Sequence, residues 1–215
     1  MAAAGEQSVH DRLDLLDWKA RISALYVEVR AARDPAAGWE RWRTVRDELF
    51  GSHPQSPLPA AARAAFAGLD YFPYDPALRV SAEVLELPIE STPIGSSGEQ
   101  PISFERFAEA RFRLGGGEHT LELYWLGGYG GGLFVPFRDA TGGAESYGGG
   151  RYLLDTVKGA DLGLAGGRLI FDFNLAYNPS CCYDPGWVCP LSPPANRLAI
   201  AVRAGERLPP AGLNR

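Results

Sequence analysis

The sequence is poor in cysteine, and no run of apolar residues in it is long enough to cross a bilayer. Three cysteines among 215 residues do not make a secreted disulfide scaffold. The first residues also lack the basic region and the following apolar region of a secretory signal. These absences lead us to expect a cytoplasmic protein without a transmembrane helix.

An excess of positive charge is missing as well. The formal net charge is -5 and the sequence pI is ≈ 5.3, whereas binding to phosphates or anionic lipids requires a positive field. We therefore expect neither nucleic acid nor a membrane as a partner. With 46% hydrophobic and 22% charged residues, the composition is that of an ordinary globular protein that can bury a core.

In the first part of the chain, apolar residues recur with the spacing that is typical of helices. Ser8 and Asp11 resemble a capping box, with a shorter acid in place of Glu. Apolar residues three or four positions apart then predict one amphipathic helix: Trp18, Ile22, Leu25 and Val29. After Pro35, which such a helix cannot include, a second stripe predicts another: Trp39, Trp42, Val45 and Leu49. Residues 59–69 are predicted as a short third helix.

From residue 79 onward, apolar and polar residues alternate as they do in half-buried strands. Glycine-rich and proline-rich turns separate these segments, and no helical pattern lies between them, which favours an antiparallel sheet or a small barrel. The predicted class is α+β, with a helical segment (1–69) packed on a sheet-rich body (70–215) in one compact domain. The predicted strands are 79–87, 104–114, 119–126, 133–138, 168–174 and 197–203.

The first segment with possible chemistry is 134–152. Asp139 and Thr141 are followed by glycines, a pattern that is typical of a tight turn and favours a structural role over a catalytic one. Three glycines precede Arg151 and could bring backbone N–H groups and a guanidinium to an anion. The segment lacks the ending of a phosphate-binding Walker loop, so this indication of anion binding is weak.

The second segment is 169–190. Strand alternation places Asp172 on the same face as Ile170, so its carboxylate is expected to be partly buried. A buried carboxylate needs a partner, for which Arg151 and Arg138 are candidates. Asp172 then either forms a structural ion pair or acts as a general acid or base with a shifted pKa. Tyrosines add hydroxyl groups nearby: Tyr147, Tyr152, Tyr177 and Tyr183.

The three cysteines, Cys181, Cys182 and Cys189, lie in this same segment. A zinc site is not expected, since neither a C-x2-C pair nor a neighbouring histidine is present. Cys181 or Cys182 could form a disulfide with Cys189 if the intervening Pro-Gly turn folds back. A nucleophilic cysteine would need a lowered pKa and a base. Buried, unreactive thiols are the simplest interpretation.

Two long motifs, FVPFRDATGGAESYGGGRY and LIFDFNLAYNPSCCYDPGWVCPLSPPANRLAIAVRAGE, resemble the bacterial and archaeal domain-of-unknown-function family 1684. The resemblance covers the last two-thirds of the chain and implies no particular reaction. Ser146 stands where the family pattern has threonine, and Cys182 replaces a small residue. The matching positions are Asp139, Thr141, Tyr147, Gly148, Gly150, Arg151, Tyr152, Asp172, Asn174, Tyr177, Asn178, Cys181, Cys189 and Asn196.

Three functional hypotheses follow. The leading one is an enzyme for a small-molecule ligand, without metal or cofactor, that works by acid/base chemistry in a barrel-like pocket. Its expected catalytic residues are Asp172, Tyr147 and Tyr177, and its expected substrate-binding residues are Arg138, Arg151, Tyr152, Asn174 and Asn178. The alternatives are a barrel that binds a flavin or another phosphorylated cofactor, and a non-catalytic ligand-binding or scaffold protein. All three depend on what lies between Arg151 and Asp172.

Overall fold

The computed structural model describes residues 8–210, and its first part is helical. Helix α1 (Val9–Ala31) follows Ser8, whose hydroxyl accepts a hydrogen bond from the Asp11 N–H at 3.1 Å. The Asp11 carboxylate in turn accepts one from the Ser8 N–H at 2.9 Å. This reciprocal pair confirms the predicted capping box. Residues 1–7 of the predicted helical segment and 211–215 of the predicted sheet-rich body lie outside the described residues.

Helix α2 (Pro35–Ser52) carries its proline at the first position, where the missing N–H sacrifices no helical hydrogen bond. Helices α1 and α2 pack against each other, and both predicted apolar stripes turn toward the core. Trp18 and Val29 of the first stripe are partly buried against it. The buried members of the two stripes are Ile22, Leu25, Trp39, Trp42, Val45 and Leu49.

The predicted third helix is much shorter than residues 59–69. Only α3 (Ala60–Arg63) is helical. Gly68 has a φ of 130°, which interrupts any right-handed helix at that point. The Leu69 N–H donates to the Asp47 carboxylate at 3.0 Å. This bond to α2 replaces the hydrogen bond that the Leu69 N–H would make within a longer α3. No helix within residues 8–210 is long and apolar enough to cross a membrane.

The described chain contains one sheet of seven antiparallel strands in the order β5-β4-β3-β2-β1-β7-β6. Tyr152 in β5 and Tyr177 after β7 exchange backbone hydrogen bonds of 2.8 and 3.1 Å. The sheet therefore curls into a half-barrel, and the predicted α+β class with an antiparallel sheet is confirmed. The strands are β1 (Arg79–Ile94), β2 (Ile102–Leu114), β3 (Gly117–Leu126), β4 (Gly132–Phe137), β5 (Arg151–Asp155), β6 (Leu164–Ala165) and β7 (Arg168–Asp172).

Two strand predictions near the carboxyl terminus need correction. Residues 197–203 do not form a strand, because the Val202 N–H donates to the Asp139 side chain at 2.7 Å and only Arg197 pairs, by a single bridge, with Arg138. Strand β7 ends at Asp172, since its carboxylate accepts the Asn174 N–H at 3.1 Å and starts a 3-10 turn. The predicted alternation therefore does not continue to residue 174.

Strand β5 was not predicted. All five of its residues are buried, so its sequence shows no alternation between a polar and an apolar face. It is nevertheless the strand that positions the candidate site, since its first residue is Arg151 and its last is Asp155. Helices and sheet share one core around it, in which Tyr26 and Trp42 belong to the same buried cluster as Leu153.

Candidate functional site

Arg151 is a structural residue in this fold. Its side chain is 1% exposed, and one terminal nitrogen donates to the Asp139 carboxylate at 3.1 Å and to the Val202 carbonyl at 2.9 Å. The other donates to the Glu206 carbonyl at 3.2 Å and to the Ala204 carbonyl. All four terminal N–H bonds are thus engaged. The remaining Nε–H has no partner among the described residues, but it is buried with the rest of the side chain, so Arg151 presents no accessible N–H to a phosphate or a substrate anion.

Asp139 completes this cluster from the turn that follows β4. Its carboxylate accepts the Thr141 hydroxyl at 2.8 Å, and its carbonyl accepts the Gly142 N–H at 3.1 Å. The interpretation of Asp139 and Thr141 as turn-forming residues is confirmed. The same carboxylate also neutralises Arg151, so the turn and the buried cation stabilise each other.

Asp172 lies in a different cluster. Its partner is Arg79, the residue opposite it on β1, at 3.2 Å, so the expectation that Arg151 or Arg138 pairs with it is wrong. Burial raises the pKa of Asp172, while hydrogen bonds from Asn174 and the charge of Arg79 oppose that rise. The predicted convergence of Arg151 and Asp172 on one hollow is not found, because the two groups have separate partner sets.

The other predicted residues are distributed among several surroundings. Asn174 bonds both backbone groups of Asp75, at 2.9 and 2.8 Å, and so anchors the chain before β1. Arg138 forms no ion pair with any described residue, and its backbone pairs with Asn196 and Leu198. Tyr147 contacts a thiol, with its hydroxyl 3.7 Å from the Cys181 sulfur. Tyr152, Tyr177 and Asn178 come together at a cavity.

This helix–sheet cavity lies between the two long helices and the chain that follows β5 and β7. The space open to the centre of a water molecule is ≈ 60 Å³, which corresponds to roughly five water molecules. Neither Arg151 nor Asp172 lines it. Its walls consist of Trp18, Ile22 and Tyr26 from α1, Arg46 and Phe50 from α2, and Pro57, Tyr152, Lys158, Ala160, Tyr177, Asn178, Pro179 and Ser180.

One wall of the cavity is a neutralised ion pair. Arg46 donates its Nε–H to the fully buried Glu206 at 2.8 Å, and the rings of Phe50 and Tyr177 lie 5.1 and 4.9 Å from its guanidinium carbon. Glu206 also accepts the Asn178 N–H at 2.7 Å. The pair thus fixes the backbone of Asn178 and the position of Tyr177, and it leaves no net charge on this wall.

A second ion pair contributes Lys158 to the lining of the cavity. The Lys158 ammonium is 3.3 Å from the buried Asp155 carboxylate and 5.5 Å from the centre of the Tyr152 ring. Burial acts to lower the pKa of Lys158, but Asp155 outweighs that effect and the pKa is raised. Lys158 is therefore an ammonium group at neutral pH, and with one N–H directed to Asp155 it retains two N–H donors.

Two hydroxyl groups in the cavity have unused hydrogens. The Tyr177 hydroxyl has no hydrogen-bond partner among residues 8–210, although it lines the cavity. The Tyr26 hydroxyl accepts the Trp42 indole N–H at 3.3 Å but donates to no described group. Burial raises the pKa of both phenols, and the Asp155 carboxylate adds to this. Both remain protonated at neutral pH. The cavity therefore offers donors that lack acceptors, and the Asn178 Oδ1 in the same lining is a buried acceptor that lacks a donor among the described residues.

Sequence reasoning missed several of these residues: Tyr26, Arg46, Asp155, Lys158 and Glu206. One signal was available, since the chain uses arginine nearly everywhere and Lys158 is one of two lysines. It stands three residues after Asp155, a spacing that lets a cation meet a carboxylate. Within the described residues, no group of three or more His, Cys, Asp or Glu side chains is arranged to hold a metal ion.

The fold and this cavity define an α+β protein in which the half-barrel sheet and the helices border a small cavity lined by hydrogen-bond donors. Residues 64–207 match the family described as "Protein of unknown function (DUF1684)", and the chain belongs to that family. It is also similar to an uncharacterized protein of Haloarcula marismortui, known from a solution NMR structure, with 38% identity and a TM-score of 0.56. That match covers 77% of this chain and 89% of the other. No curated protein matches the chain.

Proposed function

We propose that the protein is a metal-independent enzyme that performs acid/base chemistry on a small molecule in the helix–sheet cavity. The observation that carries this proposal is the Tyr177 hydroxyl, which lines the cavity without a protein partner and belongs to the same lining as Lys158. Unused donors that line a cavity favour a guest that brings acceptors. The substrate is therefore a compound with carbonyl or carboxylate oxygens.

The size of the cavity supports a small guest. A space of ≈ 60 Å³ for water centres suits a molecule of roughly four to six non-hydrogen atoms, taking each water as one such atom. Short keto acids have this size and carry only acceptor oxygens. A cofactor as large as a flavin would require the helices to move, and the four terminal N–H bonds of Arg151, expected to hold its phosphate, are already engaged.

Each cavity residue has a role in this proposal. Lys158 holds the anionic or carbonyl oxygen with its two remaining N–H donors. Tyr177 donates to the oxygen on which negative charge develops, and its raised pKa keeps the proton in place until that oxygen becomes strongly basic. Tyr152 shapes the cavity, since its hydroxyl already donates to the Pro190 carbonyl at 2.6 Å. The Asn178 Oδ1, which has no partner among residues 8–210, accepts a hydrogen bond from the substrate where the substrate carries a donor. Asp172 and Tyr147, which sequence reasoning assigned to catalysis, are outside this set.

Pyruvate is a suitable probe, because it has the required size and carbonyl chemistry. We would measure its affinity by calorimetry and follow exchange of its methyl protons with deuterated water by NMR. In that exchange a solvent base removes a methyl proton, while Lys158 and Tyr177 stabilise the negative charge that develops on the carbonyl oxygen. The Lys158→Gln and Tyr177→Phe variants should each bind about tenfold more weakly or worse, as expected for loss of a hydrogen bond to a charged oxygen. Exchange should be lost in both.

The chain offers matched controls for both changes. Lys19 is the other lysine and Tyr129 is fully exposed, and neither lines the cavity. The Lys19→Gln and Tyr129→Phe variants should bind and exchange like the wild type. Binding without catalysed exchange would favour the non-catalytic ligand-binding alternative, and equal affinity in all five proteins would exclude the cavity as the binding site.

A further inference from the structure

One buried acceptor in the wall of the helix–sheet cavity bears on which substrates the cavity accepts. Asn178 lines the cavity and is 3% exposed, and its side-chain oxygen Oδ1 has no hydrogen-bond partner among residues 8–210. Every other buried side-chain atom without a partner in that range is an N–H donor. A buried oxygen without a donor is costly in free energy, and a ligand that brings the donor removes that cost.

The orientation of the Asn178 amide is fixed by its nitrogen. Nδ2 donates to the Arg207 carbonyl at 2.8 Å and to the Tyr183 hydroxyl oxygen at 3.4 Å. That hydroxyl spends its own hydrogen on Glu206, at 2.9 Å. With the amide turned over, Oδ1 would face two acceptors in place of Nδ2, so the unpaired atom of Asn178 is the oxygen.

The backbone also keeps this side chain in place. The Asn178 N–H donates to the buried Glu206 carboxylate at 2.7 Å, and Glu206 is held in turn by Arg46 at 2.8 Å. Asn178 therefore cannot move its oxygen toward another protein donor without losing bonds on both its amide and its backbone. The donor that pairs with Oδ1 has to come from outside the chain.

The two other buried asparagines show how the framework of this protein treats the same atom. Oδ1 of Asn174 accepts the Asp75 N–H at 2.9 Å, and Oδ1 of Asn196 accepts the Glu122 N–H at 2.7 Å. Neither asparagine lines the cavity. A buried asparagine that serves the fold thus has its oxygen paired with a backbone N–H, and the unpaired oxygen belongs to the asparagine at the cavity.

The rest of the lining sets the other features of the guest. Lys158 and Tyr177 are donors in the same lining, and neither bonds to Asn178 Oδ1. A guest that satisfies all three residues carries an acceptor oxygen and a donor. A hydroxyl group brings one hydrogen for the one unpaired oxygen, whereas an amine or a primary amide brings two or more N–H bonds and leaves one without an acceptor.

We propose that the substrate of the helix–sheet cavity is a short hydroxycarbonyl compound. Lys158 and Tyr177 bind its carbonyl oxygen, and Asn178 Oδ1 accepts a hydrogen bond from its hydroxyl group. This inference rests on the function proposed above and narrows its substrate class. Asn178 is then the specificity-determining residue, since it distinguishes a hydroxyl group from a methyl group of similar size.

Hydroxyacetone and butanone are suitable probes, because they differ only in a hydroxyl group that replaces a methyl group. In NMR titrations of the full chain, the wild type should bind hydroxyacetone about tenfold more tightly than butanone, as expected for one buried hydrogen bond. The Asn178→Leu variant, which keeps the branched shape without polar atoms, should lose this preference because its affinity for hydroxyacetone falls. The Asn174→Leu variant, which alters an asparagine outside the cavity, should keep it.

The outcomes separate this inference from the function on which it rests. A wild type that binds pyruvate and exchanges its methyl protons, but binds hydroxyacetone and butanone equally, would overturn the inference and leave the proposed function intact. A wild type that binds none of the three compounds would overturn both. A preference for hydroxyacetone that persists in folded Asn178→Leu protein would overturn the role of Asn178. The comparison of ligands needs only the wild type, so it holds if a variant folds poorly.

Discussion

The two ends of strand β5 differ in how their charged side chains are satisfied. At the first residue, all four terminal N–H bonds of Arg151 have acceptors, and its side chain and that of Asp139 are each 1% exposed. At the last residue, Asp155 has Lys158 as its partner, and the Lys158 side chain is 49% exposed. Beside this second pair lies a cavity with unused hydroxyl hydrogens.

This difference separates structural residues from candidate functional ones. A polar group whose hydrogen-bonding capacity is used up by the protein stabilises the fold and has nothing left for a ligand. A group with unused hydrogen-bonding capacity that lines a cavity can bind a ligand. Asp172 belongs to the framework by this criterion, and so does Arg151, whose one unpaired N–H is buried away from the cavity. Lys158 and Tyr177 belong to the candidate site.

The largest expected effect is on stability, at the first end of β5. The Arg151→Met variant leaves the Asp139 carboxylate buried without its cation, which should lower the free energy of unfolding by about 3–5 kcal/mol. Urea unfolding monitored by circular dichroism measures this loss. Pyruvate affinity of the folded protein should stay at the wild-type value.

The matched control is another arginine that pairs with an acid. Arg203 binds Glu145 at 2.8 Å, but its side chain is 62% exposed, and exposed ion pairs contribute little to stability. The Arg203→Met variant should therefore unfold like the wild type. An Arg151→Met variant that keeps its stability but loses pyruvate binding would reverse the comparison between the two ends of β5.

A smaller effect is expected at Asp172. The Asp172→Asn variant keeps a group that can accept from Asn174, so its unfolding free energy at neutral pH should change by about 1 kcal/mol or less. Because the pKa of Asp172 is raised above its usual 3.8, the folded state holds the proton more tightly than the unfolded state. Wild-type stability should therefore fall, relative to the variant, as pH rises from 3.8 through the raised pKa.

Urea unfolding of both proteins across this acidic range measures the difference. If the difference in unfolding free energy between wild type and variant stayed constant with pH, burial would not be the main influence on the pKa of Asp172. If the variant lost pyruvate binding while its stability was unchanged, Asp172 would return to the list of functional residues.

Much of the fold could be predicted from the sequence, because its signals are local. The capping box at Ser8, the two helical stripes and the alternating strands are patterns within single segments. Strand β5 could not be predicted in this way, since all of its residues are buried and alternation disappears. The segment 197–203 was wrongly predicted because the Val202 N–H bonds to a side chain far away in sequence.

The candidate site was predicted in part. Tyr152, Tyr177 and Asn178 line the cavity, and the tyrosine-rich segments pointed to them. Arg46 and Glu206 could not be paired from sequence, since 160 positions separate them. The partners of Arg151 and Asp172 were missed for a similar reason: Asp172 meets Arg79 through the β1–β7 register, which is a property of the assembled sheet.

The most direct test of the central claim is a crystal structure of the protein soaked in pyruvate. The account predicts density for the ligand within the helix–sheet cavity, with an oxygen at hydrogen-bonding distance from the Tyr177 hydroxyl and another near the Lys158 ammonium. Pyruvate bound beside Arg151 or Asp172, or a cavity that contains only water while the protein binds pyruvate in solution, would contradict it.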